Sequence, residues 1–159
     1  MKQTKWGVLG VSGHFIQRVV VPLSHSESVQ VAAIASRDRG KAEAAAAKWG
    51  IPKAYGSYEE LLSDPEIDAI YNPLPNHLHL EWIKKSADAG KPMLCEKPLG
   101  LNAREVQEAI NYTEKKGVPL MEAFMYRFRP QRVREKALST CVKIGSLKVV
   151  QIHTTSKNS

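Results

Sequence analysis

Glu96 and Lys97 stand between a short apolar run, Met93-Leu94-Cys95, and Pro98. An ammonium next to a carboxylate can donate to a ligand oxygen, polarising a carbonyl or assisting removal of a hydroxyl proton. The apolar run is too short for a helix and follows Gly90 and Pro92, so it reads as the end of a buried strand. In open α/β sheets ligands bind outside the carboxyl ends of the strands, which puts the charged pair on the ligand side. Pro98 has a fixed φ and restricts the residue before it, so the Lys97 side chain can be aimed. A solvated turn is the competing reading, and these residues by themselves leave both open.

Three further stretches carry residue types suited to a ligand. After the apolar run 6–11, Gly10-x-Ser12-x-x-Phe15 is a degraded dinucleotide fingerprint, with Ser12 and Phe15 replacing the second and third glycines. Gly10, Ser12 and Gly13 are small enough for a tight turn and a close backbone approach to a pyrophosphate, with His14 in the same turn. A second strand over 29–35 runs into Ser36-Arg37, where a carboxylate would meet the ribose of NAD. Arginine there can fork onto a 2′-phosphate, so the sequence leans to NADP, with NAD as the alternative. A strand at 69–71 runs into Asn72-Pro73-Leu74-Pro75-Asn76, a loop expected to border the cofactor. Asn76 is expected to cap the next helix, and His79 to lie in its first turn near the same edge or at the surface. His77 and His79 are two apart and share no helix face, so no metal pair is argued.

Composition excludes several classes. With 159 residues, 43% hydrophobic and 25% charged, the chain suits one well-buried domain and a remnant, not a disordered segment. No apolar run approaches the length of a membrane span, and a cytoplasmic protein is expected. Cys95 and Cys141 lack the spacing of a zinc site or a disulfide framework and read as packing residues. The net charge of +7 is uneven, with Arg127, Arg129, Arg132, Arg134 and Lys136 crowded together. A solvated helix face explains these better than nucleic-acid binding, since no recognition motif accompanies them.

The elements that must position these residues alternate. Asp38 caps a helix over 39–49; residues 53–55 are a weak third strand; Ser57 with Glu60, and Asn102 with Glu105, form capping boxes. Residues 119–121 begin a sixth strand. The alternation predicts an α/β fold, a doubly wound parallel sheet ending near residue 123. Beyond it, residues 122–128 interleave aromatics with Arg127 as core packing or a crevice wall, and a helix begins near Pro130. Residues 145–154 alternate as a half-buried strand with a slip at Val149-Val150. An unpaired strand there is expected to lie on the domain surface or to pair with another copy, as a homo-oligomer.

Cys95-Glu96-Lys97-Pro98-Leu99, the loop 73–79 and the run 122–128 together resemble the glucose-fructose oxidoreductase and inositol dehydrogenase (Gfo/Idh/MocA) family over essentially the whole chain. The subgroup is similar to dihydrodiol and xylose dehydrogenases. The resemblance implies an amino-terminal Rossmann domain binding NAD or NADP at the residues named above, with Lys97 beside the nicotinamide and the reacting oxygen. It also implies that Glu96 helps hold the nicotinamide ribose and that the substrate is a sugar, polyol or cyclic diol. Family members continue into a second α/β domain, of which residues 124–159 are expected to be the linking helix and first strand. A non-catalytic nucleotide sensor, signalling through the arginine-rich face, is the alternative.

Overall fold

In the computed structural model, which describes residues 3–13, 19–23 and 25–140, six strands form one parallel sheet. They are β1 (Thr4–Leu9), β2 (Val29–Ala35), β3 (Lys53–Tyr55), β4 (Ala69–Asn72), β5 (Met93–Cys95) and β6 (Leu120–Glu122). Their spatial order is β3-β2-β1-β4-β5-β6, the dinucleotide-binding order, whose direction reverses between β1 and β4. Doubly wound parallel architecture is therefore observed as the alternation predicts. The helices are α1 (Val21–Leu23), α2 (Arg39–Trp49), α3 (Tyr58–Leu62), α4 (His79–Asp88), α5 (Ala103–Lys116) and α6 (Pro130–Thr140).

The two faces of the sheet bury different partners. On one, Leu9, Ala33, Ile70 and Met93 pack with Tyr58 and Leu61 of α3, Trp82 and Ile83 of α4 and Ala109 of α5. On the other, Val8, Ile34 and Tyr71 pack with Val20 and with Ala45 and Ala46 of α2. All four residues of β4 are buried, as expected of a central parallel strand covered on both sides.

Local signals act much as their chemistry requires, with three differences. Asp38 Oδ1 accepts from Lys41 N–H at 3.1 Å, Ser57 Oγ from Glu60 N–H at 3.1 Å, and Asn102 Oδ1 from Glu105 N–H at 3.0 Å. The returning carboxylates, however, reach one residue upstream of the cap: Glu60 accepts from Gly56 N–H and Glu105 from Leu101 N–H. Asn76 does not cap a helix through its side chain; it opens a 3-10 turn, Asn76–Leu78, and α4 starts at His79. The first strand spans residues 4–9, not 6–11 as the apolar run suggests, because Gly10 turns the chain at φ 97°.

The chain divides into two compact units, Met1–Ala123 and Phe124–Ser159. The described part of the second holds a 3-10 turn, Met125–Phe128, and α6, which starts at Pro130. Cys141 and the expected strand over 145–154 lie outside the described residues. Among those described, no helix is long and apolar enough to cross a membrane, and no His, Cys, Asp and Glu residues cluster as a metal site.

Candidate active site

The carboxyl ends of β2, β1, β4 and β5 lie side by side, and each carries one of the candidate stretches. Neighbouring strands sit about 4.8 Å apart, so the four edges span about 14 Å. At β1, Gly10 N–H donates to Ala35 O at 2.8 Å, which ties the turn to β2. A Cβ on Gly10 would come within 3.2 Å of Leu74 Cδ2 and would have to adopt a left-handed φ, so glycine is required twice over. Gly13 is different. Beyond its chain neighbours, no atom of the described residues lies within 4 Å of its Cβ position, so its smallness leaves room on that side of the turn.

At β2, Ser36 is buried; its N–H donates to Tyr55 O and its Oγ accepts from Asp38 N–H at 3.2 Å. Arg37 follows, exposed. Its guanidinium acts on Tyr58, whose phenol pKa is raised by burial and pulled back by Arg37. Tyr58 Oη in turn lies 3.8 Å from the Gly10 Cβ position. The arginine therefore stands near the glycine turn, as a group meeting the ribose end of a dinucleotide must.

At β4 and β5 the chain is pinned from several directions. Glu96 N–H donates to Asn72 O at 2.9 Å. Glu96 Oε1 accepts from Tyr71 O–H at 2.5 Å, and Oε2 from Lys97 N–H at 3.2 Å. Leu99 N–H donates to Glu122 Oε1 at 2.9 Å. Lys97 is exposed, and its bond to Pro98 is cis. Burial, then the Tyr71–Glu96 contact, pushes the Tyr71 phenol pKa up, which keeps it a donor. Burial also pushes the Cys95 thiol up to about 12, with the nearby Glu96 and Glu122 charges adding to it. The thiol stays protonated and packs.

Two of the expected contact residues do other work. His79 is wholly buried, with Nε2 2.7 Å from Leu74 O and Nδ1 2.9 Å from Pro98 O. It joins the β4 loop to the Lys97 loop and presents neither ring nitrogen to a ligand, which corrects both the cofactor-contact and the surface readings. Asn72 is also wholly buried, and its Oδ1 accepts from Leu74 N–H at 3.1 Å; it shapes the loop from within. Leu74 is buried, Pro73 and Ser12 are half-buried, and Asn76 is exposed. Arg127 is exposed in the second unit, and His14 and Phe15 lie outside the described residues. Reasoning from sequence missed Tyr58, Tyr71 and Glu122. Tyr71 left one trace, a hydroxyl at the end of the apolar run 69–71, which needs a partner when buried.

The residues present fit a nicotinamide dinucleotide. A glycine turn, an open approach at Gly13, an arginine where NAD enzymes place a carboxylate, and a charged pair three strands away occupy one edge of the sheet in the order such a ligand needs.

Residues 4–124 match the sequence model of a family described as an oxidoreductase family with an NAD-binding Rossmann fold, Gfo/Idh/MocA. The chain is 50% identical over 133 residues to D-xylose 1-dehydrogenase (NADP(+)) 2 of Haloferax volcanii, covering 84% of this chain and 41% of that protein. It is 45% identical over 150 residues to trans-1,2-dihydrobenzene-1,2-diol dehydrogenase of Xenopus tropicalis, covering 93% and 45%. Among solved structures, a 3-ketoreductase from Actinomadura kijaniata in complex with NADP superposes with a TM-score of 0.78 at 31% identity, over 86% of this chain and 44% of that one. The chain thus spans less than half the length of these relatives.

Proposed function

This chain belongs to the Gfo/Idh/MocA oxidoreductase family, and from that premise we propose that it is an NADP-dependent oxidoreductase, or the cofactor-binding half of one. Its substrate is a sugar, polyol or cyclic diol, the class named in its xylose and dihydrodiol dehydrogenase relatives. The observation that carries this reading is the alignment of Gly10, Ser36-Arg37 and Glu96-Lys97 along the carboxyl ends of adjacent strands.

A nicotinamide cofactor supplies or takes up the hydride; the protein supplies placement and charge. The turn at Gly10 to Gly13 offers backbone N–H groups to the pyrophosphate, with Ser12 in the same turn and His14 and Phe15 the candidates that follow it in the sequence. Arg37 forks onto the 2′-phosphate beside Ser36. Pro73, Leu74 and Asn76 form the loop along the middle of the cofactor, a loop shaped by Asn72 and His79. Glu96 accepts from the nicotinamide ribose. Lys97 donates to the substrate oxygen, lowering the cost of the charge that develops there. Arg127 adds positive charge to a chain segment outside the sheet.

The test is titration of the chain with NADPH and NADH, followed by fluorescence, beside Arg37→Ala. NADPH binds more tightly, and Arg37→Ala removes most of the difference. A hydrogen bond to a charged group contributes on the order of 1.5 to 3 kcal/mol, about ten- to a hundredfold in affinity. Equal affinities in the unaltered protein overturn the NADP assignment, and binding of neither overturns the function.

A further inference from the structure

We propose that Tyr71 is a positioning residue for the cofactor, acting through Glu96: its phenol O–H holds the carboxylate in the orientation that meets the nicotinamide ribose. The proposal rests on the reading of Glu96 given above. It adds a residue that lies on β4, one strand away from the charged pair, and whose ring is buried beneath the sheet edge.

Three observations carry it. Tyr71 Oη and Glu96 Oε1 are 2.5 Å apart, in the range of a charge-assisted O–H···O⁻ bond. The same carboxylate accepts Lys97 N–H on Oε2, so the two oxygens are held from two directions and the side chain cannot rotate without breaking a bond. Each carboxylate oxygen has about two acceptor sites, so one on each remains for a ligand, and Glu96 is only half-buried. A glutamate otherwise has several accessible rotamers, and fixing one before the ligand arrives removes that ordering cost from binding. Tyr71 is itself immobile: its ring is 5% exposed and packs with Val8 and Ile34. The hydroxyl is thus a fixed point against which a carboxylate at the end of the next strand is set. The same link reaches Lys97, because the anchored carboxylate holds that residue's N–H.

Tyr71→Phe keeps the ring and removes only the hydroxyl. The measurement compares affinities for NADPH and for adenosine 2′,5′-bisphosphate, which lacks the nicotinamide half, in the unaltered chain, Tyr71→Phe, Glu96→Gln and the double variant. The expected result is NADPH weakened by about tenfold in Tyr71→Phe, from lost pre-organisation, with the adenosine bisphosphate unchanged. A residue that merely held the fold together would weaken both ligands. Glu96→Gln weakens NADPH at least as much, and adding Tyr71→Phe to it costs little more, because the two act as one unit. If Glu96→Gln weakens NADPH while Tyr71→Phe does not, Tyr71 has no positioning role and the ribose contact stands. If Glu96→Gln leaves NADPH affinity unchanged, the ribose contact itself fails and the proposal falls with it.

Discussion

Lys97 is exposed at the end of β5, yet the backbone around it is anchored on both sides, by Glu96 N–H on Asn72 O and by Leu99 N–H on Glu122. A side chain that must reach an outside ligand needs exactly this combination of a free tip and a fixed base. Methionine at this position keeps the apolar stem and loses the charge. On the function proposed above, and with this chain joined to the second domain of a family member, NADP+ supplied as hydride acceptor and an aldose or cyclic diol as hydride donor, Lys97→Met is expected to reduce hydride transfer by about a hundredfold or more, the scale of losing an acid/base or electrostatic group. NADPH affinity changes much less, since the phosphates and adenosine are assigned to Gly10 to Gly13 and to Arg37. Steady-state rates beside cofactor titrations check this; near-normal turnover removes Lys97 from the mechanism.

Elements are held in register by polar groups between them as well as by the core. His79, at the start of α4, ties the loop after β4 to the loop after β5 through two carbonyls. His79→Ala leaves a cavity and removes the ring nitrogens that face the Leu74 and Pro98 carbonyls, and is expected to cost about 2 to 4 kcal/mol in urea unfolding. A loss within experimental error would show that the loops need no such tie. Asp64 plays the corresponding part at β3. Burial raises its carboxyl pKa, but hydrogen bonds from Lys53 at 2.8 Å, Tyr55 at 2.6 Å and Glu66 N–H at 2.9 Å outweigh burial and hold it at about 2. The unfolded chain titrates near 3.9, so the folded state binds this proton less readily and gains about 2 kcal/mol from it above pH ~4. That contribution is lost as the pH falls from about 4 through about 2. Asp64→Asn removes this part of the slope of stability against pH, which denaturation at a series of pH values measures.

At the scale of the whole molecule, charge is segregated along the chain. Residues 124–159 carry eight Lys and Arg against Glu135, whereas residues 1–123 carry fifteen basic and fifteen acidic residues. The unit that holds the sheet is therefore neutral overall, so the phosphate binding proposed above has to come from placed groups such as Arg37, not from a general field. All six strands lie within it, as does every site candidate except Arg127. A chain ending at Ala123 is accordingly expected to unfold cooperatively and to bind NADPH within about threefold of the full sequence, a difference under 1 kcal/mol. A larger loss, measured by titration at two salt concentrations, would assign Arg127 and its neighbours a direct part in binding.

Periodicity, caps and breakers by themselves determined the strand and helix alternation, since each is read from residues close together in the chain. The bounds of β2 and α2 follow from the apolar run 29–35 and from Asp38 and Gly50. Gly10, Arg37 and the Glu96-Lys97 pair were legible for the same reason, as breaks at strand ends. Tertiary structure alone decided what His79, Asn72 and Tyr71 do. Each lies in a stretch whose local pattern is satisfied equally well by a surface, a loop or a core position. For His79 and Tyr71 the partners at Pro98 and Glu96 are 19 and 25 residues away, and only parallel pairing of β4 with β5 brings them together. A polar group's partner is settled by which strands become neighbours, and a linear pattern carries no record of that.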